Sequence, residues 1–281
     1  MNKTFLTLLI LLIAVSVYGQ KLSSVNQLSL IDHTITLNRM GIEINSDGFL
    51  KQIQTFYSED HTGEPQTLLY EPIHFHYYVT AKTQLKLNPS IFKLISSSKD
   101  SVVWNVLSTA DELEQDIKGE MLTNGLIKYK IRIRALKNLT LNSINFHIPF
   151  QKPTAKYLAG LNEIAGLRSD TVRWNANQKT IPAVWIGDEK QGIYLSLNEQ
   201  KIFNQLNTKN GWLNEGSGKL QISIKGSSML LELNTGNITL KQGEDLVFDC
   251  KLIVSEPQDS KKLFNPGKKF KAYRKLEIQA K

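Results

Sequence analysis

The sequence predicts an all-β protein, one large antiparallel β-sandwich of the supersandwich kind. Three observations predict it. Apolar and polar residues alternate with a period of two through most of the 281-residue chain. Turn-forming clusters such as Asn45-Ser46-Asp47-Gly48, Asn124-Gly125 and Gln242-Gly243-Glu244-Asp245 punctuate these runs. Between residues 20 and 259 no long stretch shows the 3.6-residue spacing of an amphipathic helix. Many short strands with even spacing bury their apolar faces best as two layers.

In chain order, strands are expected over 34–45, 49–57, 73–81 and 102–107. The run GLIKYKIRIRA at 125–135 is the clearest: Ile127, Tyr129, Ile131 and Ile133 share one face, and Lys128, Lys130, Arg132 and Arg134 the other. Those four cations read as a solvated face, with an anionic glycan as the alternative. In LTLNSINFHIPF (139–150), Leu139 and Leu141 point inward, the parity flips at Asn142-Ser143, and Ile144, Phe146, Ile148 and Phe150 resume. A bulge or turn belongs at the flip, and Pro149 suggests a strand that ends at, or runs along, an edge. Further strands are expected over 183–186, 192–197, 220–224, 229–233, 238–240 and 246–254.

The first nineteen residues read as a secretory signal: Lys3, an apolar run from Phe5 to Val17, and small residues before Gly19. The run is short for a membrane span, so the mature chain is expected in the periplasm or outside the cell, without a transmembrane anchor. The body, 20–259, is expected as one sandwich domain, and 260–281 as a basic tail. That tail carries eight Lys or Arg and one acid, and its segment 263–278 holds the chain's helical spacing. The body is close to neutral, which argues against nucleic acid as partner. Cys250, the single cysteine, is in phase with Leu246, Phe248, Leu252 and Val254 and is expected buried.

No phosphate-binding loop, dinucleotide fingerprint, nucleophile elbow or HExxH motif is present, and no catalytic residue, metal site or cofactor is assigned. His74 and His76 share one strand face and could approach a metal, but a third ligand is not evident, and a structural pair is favoured. The carboxylate pairs Asp111-Glu112, Asp188-Glu189 and Glu244-Asp245 read as turns. A mutarotase-like enzyme would need a histidine acid and a carboxylate base. His74, His76 or His147 with Glu43, Glu120 or Glu232 offer the candidates. Trp174 and Trp212 lie in polar and Gly-rich stretches and are the better exposed aromatic platforms for a sugar ring; Trp104 is expected in the core, and Trp185 beside a turn is divided between core and platform.

Several short motifs, in order, resemble bacterial proteins of glycoside hydrolase family 123: the Asn124-Gly125 entry into an alternating strand, KYLAGL at 156–161, Gly166 and Arg168, Trp174, WIGDEKQG at 185–192 and LIVSEPQ at 252–258. The resemblance spans residues 35–258 and is to an amino-terminal β-sandwich, which in that family precedes a catalytic barrel carrying an Asp-Glu pair. No such pair can be carried over to this sequence. Ala165 and Asn175 stand where family members tend to have a second glycine and a second aromatic residue. The resemblance implies an exported, non-catalytic carbohydrate-binding or accessory module. Trp174, Trp185 and Trp212 are its expected stacking surfaces, and Arg168 and Asp188 their polar partners. The alternative is a scaffold whose tail docks a separately encoded hydrolase.

Overall fold

The computed structural model describes residues 28–56, 64–161, 163–176, 183–197 and 208–255. The expected signal segment and basic tail lie outside them. Among the described residues there is no α-helix, only a 3-10 turn at Asn214–Gly216. The all-β, antiparallel architecture read from the alternation is what the chain forms.

Two large sheets dominate. The ten-stranded sheet runs in the order Glu163–Leu167, Tyr157–Gly160, Ala183–Gly187, Gly192–Leu197, Asp245–Ser255, Leu126–Ala135, Leu113–Leu122, Ser101–Thr109 and Asn88–Ser97, with Thr208–Asn210 paired in parallel to Asp245–Ser255. The six-stranded sheet runs Thr171–Asn175, Lys219–Lys225, Ser228–Asn234, Ser143–Gln151, His74–Tyr78 and Gln84–Leu85. A five-stranded sheet of Ser29–Ile31, Thr34–Leu37, Met40–Ile44, Leu50–Thr55 and Gln66–Thr67 completes the body with the two-stranded pair Leu139–Leu141 and Ile238–Leu240. Residues from all four sheets enter one buried apolar cluster.

Aromatic rings join the two large sheets. Phe75 of the six-stranded sheet meets Phe248 of the ten-stranded sheet, Phe146 packs on Phe75, and Phe49 and Trp212 fill the space between. Phe75 lies 5.3 Å from Phe248, Phe49 lies 5.7 Å from Phe146, and Trp212 lies 4.7 Å from Phe248. Each fully buried ring stabilises the fold by roughly 2–3 kcal/mol, so this layer stands in for the disulfides that a chain with one cysteine cannot make. Cys250 is 1% exposed, as its phase requires, and burial raises its thiol pKa well above the usual range.

Three strand expectations are corrected. The segment expected as one strand over 34–45 is a hairpin, because Asn38 takes a positive φ of 51° between Thr34–Leu37 and Met40–Ile44. The parity flip at Asn142-Ser143 marks a change of sheet: Leu139–Leu141 pairs with Ile238–Leu240, whereas Ser143–Gln151 enters the six-stranded sheet. Ser143–Gln151 is also a central strand, flanked on both sides. Pro149 is tolerated there because the His74–Tyr78 neighbour ends opposite His147; beyond that point the Pro149 carbonyl accepts a hydrogen bond from Tyr70 N at 2.8 Å.

The cationic row of Leu126–Ala135 is met by carboxylates on its neighbours. Lys128 reaches Glu120 at 3.0 Å, Arg132 reaches Glu114 and Asp116 at 3.2 and 3.3 Å, and Arg134 reaches Asp245 at 2.8 Å.

Candidate functional site

The outward face of the six-stranded sheet brings three histidines together, His74, His76 and His147. Alternation sets it. In His74–Tyr78, Phe75 and Tyr77 pack toward the core, which leaves His74, His76 and Tyr78 on the other face. In Ser143–Gln151, Ile144, Phe146, Ile148 and Phe150 are core, which turns Asn145 and His147 outward. In Ser228–Asn234 the same rule turns Glu232 and Asn234 outward.

Register then aligns these side chains in two rows across the strands. One row is Arg173, Gln221, Glu232, His147 and His74; the next is Asn175, Lys219, Asn234, Asn145 and His76. Cross-strand partners share a face with Cβ atoms about 5 Å apart, so each row is a continuous polar ladder. The middle of the face is recessed: His147 and Asn145 are each 8% exposed, and His74, His76, Glu232 and Asn234 are partly buried.

Hydrogen bonds tie the ladder together. Glu232 Oε2 accepts from His147 Nε2 at 2.8 Å and from Asn145 Nδ2 at 3.4 Å. Asn145 Oδ1 accepts from Asn234 Nδ2 at 2.8 Å. His74 Nδ1 lies 2.7 Å from the Pro72 carbonyl oxygen, and His74 Nε2 lies 3.1 Å from His147 Nδ1. His147 meets the other two imidazoles edge to face, at 5.0 Å from His74 and 4.9 Å from His76, ring centre to ring centre, and His74 and His76 lie tilted at 4.4 Å.

The electrostatics follow from burial and partners. The His147 hydrogen bond holds the Glu232 carboxyl below its ordinary value, so Glu232 is ionised at neutral pH. Burial lowers the pKa of His74. Burial first, and then the neighbouring His74 and His147 rings, lowers His76 to about 4. The face therefore offers imidazoles, one carboxylate and planar amides, with Arg173 exposed at one end of the ladder.

Of the three carboxylates considered with the histidines, the fold brings only Glu232 to them. Glu43 pairs with Lys51 at 2.6 Å and Glu120 with Lys128. His147 supplies the third imidazole beside the pair His74 and His76.

The tryptophans lie elsewhere. Trp174, Trp185 and Trp212 are 2%, 1% and 5% exposed, so the expectation that Trp174 and Trp212 are exposed is corrected. Trp174 sits in the strand Thr171–Asn175, where alternation turns it inward with Val172. Trp212 occupies a turn, but its ring enters the inter-sheet aromatic layer and its Nε1 donates to the Asp249 carbonyl at 2.7 Å. Trp185 is core in a small cluster with Tyr194 and Ile253. Asp188 is buried and holds the turn after Trp185: its Oδ1 accepts from the backbone N–H groups of Lys190 and Gln191 at 2.7 and 2.8 Å, and its Oδ2 from Gln66. Arg168 donates to the Ala155 carbonyl and lies 3.6 Å from Asp170. The three tryptophans are thus buried, Trp174 in the six-stranded sheet and Trp185 in the ten-stranded one.

Fold and site together define a β-sandwich domain with a polar ladder across the outer face of one sheet. The chain belongs to a glycoside hydrolase 123 family: the profile described as "Glycoside hydrolase 123, third domain" matches residues 28–255. The family resemblance read from the motifs is thereby shown, with the matched domain described as the third. No curated protein matches the chain. Solved structures similar to it include a putative aldose 1-epimerase from Escherichia coli K12, at 11% identity and a TM-score of 0.46, covering 80% of this chain and 98% of that one. A putative mutarotase from Salmonella typhimurium is similar at 7% identity and a TM-score of 0.47, covering 87% and 99%. A polysaccharide lyase is similar at 14% identity and a TM-score of 0.45, covering 78% of this chain and 32% of that one.

Proposed function

We propose that this domain is an exported, non-catalytic carbohydrate-binding module, and that the glycan lies along the ladder Arg173, Gln221, Glu232, His147 and His74. One observation carries the reading: a recessed face of a single sheet on which carboxylate, imidazole, amide and guanidinium groups stand side by side in register. Sugar hydroxyls are bound by such planar, paired donors and acceptors, and a recess strips water from them. The family assignment supports a setting in glycan breakdown.

The His147–Glu232 pair would also suit proton transfer at an anomeric carbon, the mutarotase-like alternative. The geometry favours binding. An acid and a base that work on one sugar flank it, whereas these two hold each other at 2.8 Å.

Calorimetric titration with a panel of N-acetylated and plain oligosaccharides tests the proposal. Saturable heat is expected with at least one glycan, weakened about tenfold, the loss of one charge-assisted hydrogen bond, in Glu232→Gln and in Arg173→Ala. Absence of heat across the panel, or affinity unchanged in both variants, overturns it. Polarimetry on freshly dissolved α-sugars is expected to show no acceleration; a rate above buffer that vanishes in His147→Ala would move the assignment to the enzyme.

A further inference from the structure

We infer that His74, His76 and His147 form a binding site for one divalent transition-metal ion of the zinc class, with Glu232 and the Pro72 carbonyl fixing the rings that hold it. One potential ligand atom from each of the three residues lies within 4.8 Å of the others. The inference needs no sugar and stands apart from the glycan reading.

Two of the three rings are anchored through one nitrogen and present the other to the cluster. The Pro72 carbonyl oxygen can only accept, so His74 Nδ1, 2.7 Å away, is the protonated nitrogen. The ionised Glu232 can only accept as well, so His147 Nε2 carries a hydrogen and donates it at 2.8 Å. His74 Nε2 and His147 Nδ1 are the other nitrogens of these two rings, and they face each other at 3.1 Å.

The spacing suits a metal. With Zn–N bonds of about 2.0–2.1 Å, the nitrogens of a tetrahedral site stand roughly 3.3 Å apart. The His74–His147 edge is already close to this, and rotation of the partly buried His76 ring shortens the remaining edges. Both fixed rings carry the outer partner that metal-bound imidazoles use, a carbonyl oxygen for His74 and a carboxylate for His147. Three neutral imidazoles select zinc, copper, nickel or cobalt over magnesium or calcium, which prefer oxygen. Three protein ligands leave a fourth position to solvent or to a sugar hydroxyl on the same ladder.

The test uses the untagged full chain, stripped with a chelator and titrated with zinc chloride alone. One zinc per chain is expected, with affinity at least ~100-fold weaker in His76→Ala and in His147→Ala, and about 10- to 100-fold weaker in Glu232→Gln, the range seen on losing an outer partner of a metal ligand. His33→Ala should bind as the unaltered chain does. No zinc uptake, equal competition by magnesium, or a loss in His33→Ala as large as in His147→Ala overturns the site. Should the histidine variants fail to fold, cobalt(II) added to the unaltered chain decides. Intense visible bands of a four-coordinate nitrogen site support the inference, and the pale spectrum of hydrated cobalt ends it.

Discussion

Gly119 lies directly beneath the indole of Trp104 on the neighbouring strand. A Cβ at position 119 would come within 2.1 Å of Trp104 Cε2. Trp104 is fully buried and its Nε1 donates to the Gly48 carbonyl at 2.8 Å, so the ring is held in place. Gly119→Ala should therefore destabilise the domain by about 3 kcal/mol or more, at or above the top of the overpacking range. The double variant with Trp104→Phe should recover part of that loss. Denaturant midpoints of the two proteins check it; equal stability of Gly119→Ala and the unaltered chain would show that the indole gives way.

Asp188 is expected to act as a turn support. It holds two backbone N–H groups and the Gln66 amide while 6% exposed. Asp188→Ala should cost roughly 1–3 kcal/mol for the donors left unpaired. Asp188→Asn, which keeps one acceptor oxygen, should cost less. Glycan affinity of the folded Asp188→Asn protein should equal that of the unaltered chain; a selective loss of affinity would restore Asp188 as a sugar contact.

Acid should weaken the metal-free fold in a defined window. An unfolded histidine titrates near 6.5, whereas burial holds His76 at about 4 and lowers His74 in the folded state. As pH falls below 6.5 the unfolded chain takes up protons first, so stability present above that pH is progressively lost toward pH 4. Glu232, with its lowered pKa, adds a loss of the same sign below about 4.5. Thermal midpoints should be level from pH 7 to 8 and fall by several degrees at pH 5. His76→Gln should flatten the upper part of that fall. An unchanged slope in this variant would place the titrating group elsewhere.

The cationic row should contribute little. Arg134 and Lys128 side chains are 42% and 41% exposed in their ion pairs, and such pairs are worth about 0–1 kcal/mol. Lys128→Ala and Arg134→Ala should each lie within that range in chemical denaturation, with glycan affinity unchanged. A tenfold loss of affinity in either would move the glycan to the opposite sheet.

Cys250 should resist thiol reagents in the native protein and react once denaturant is added, because its sulfur is both enclosed and held protonated by burial.

The alternation made the class of fold legible, and it made the inward and outward sides of each long strand legible too. Leu113–Leu122 escaped notice for a physical reason: two of its inward positions are Gln115 and Gly119, the first bonded to the buried Tyr77 hydroxyl and the second kept small by Trp104. The outward direction of His147 could be read from its neighbours, but its partners could not. His74 and Glu232 are brought beside it by strand pairings spanning 73 and 85 residues, and no local pattern specifies such pairings. The tryptophans misled because a polar stretch around an aromatic residue resembles an exposed platform, while Trp174 was alternating into the core and Trp212 capping the aromatic layer.

The polar ladder draws on strands that begin at His74 and finish at Asn234. Nothing shorter than nearly the whole domain can assemble it, and the long loops to be closed make that assembly slow. Ligand occupancy would thus certify a completely folded copy: a half-paired chain would own every residue of the site and yet present none of it.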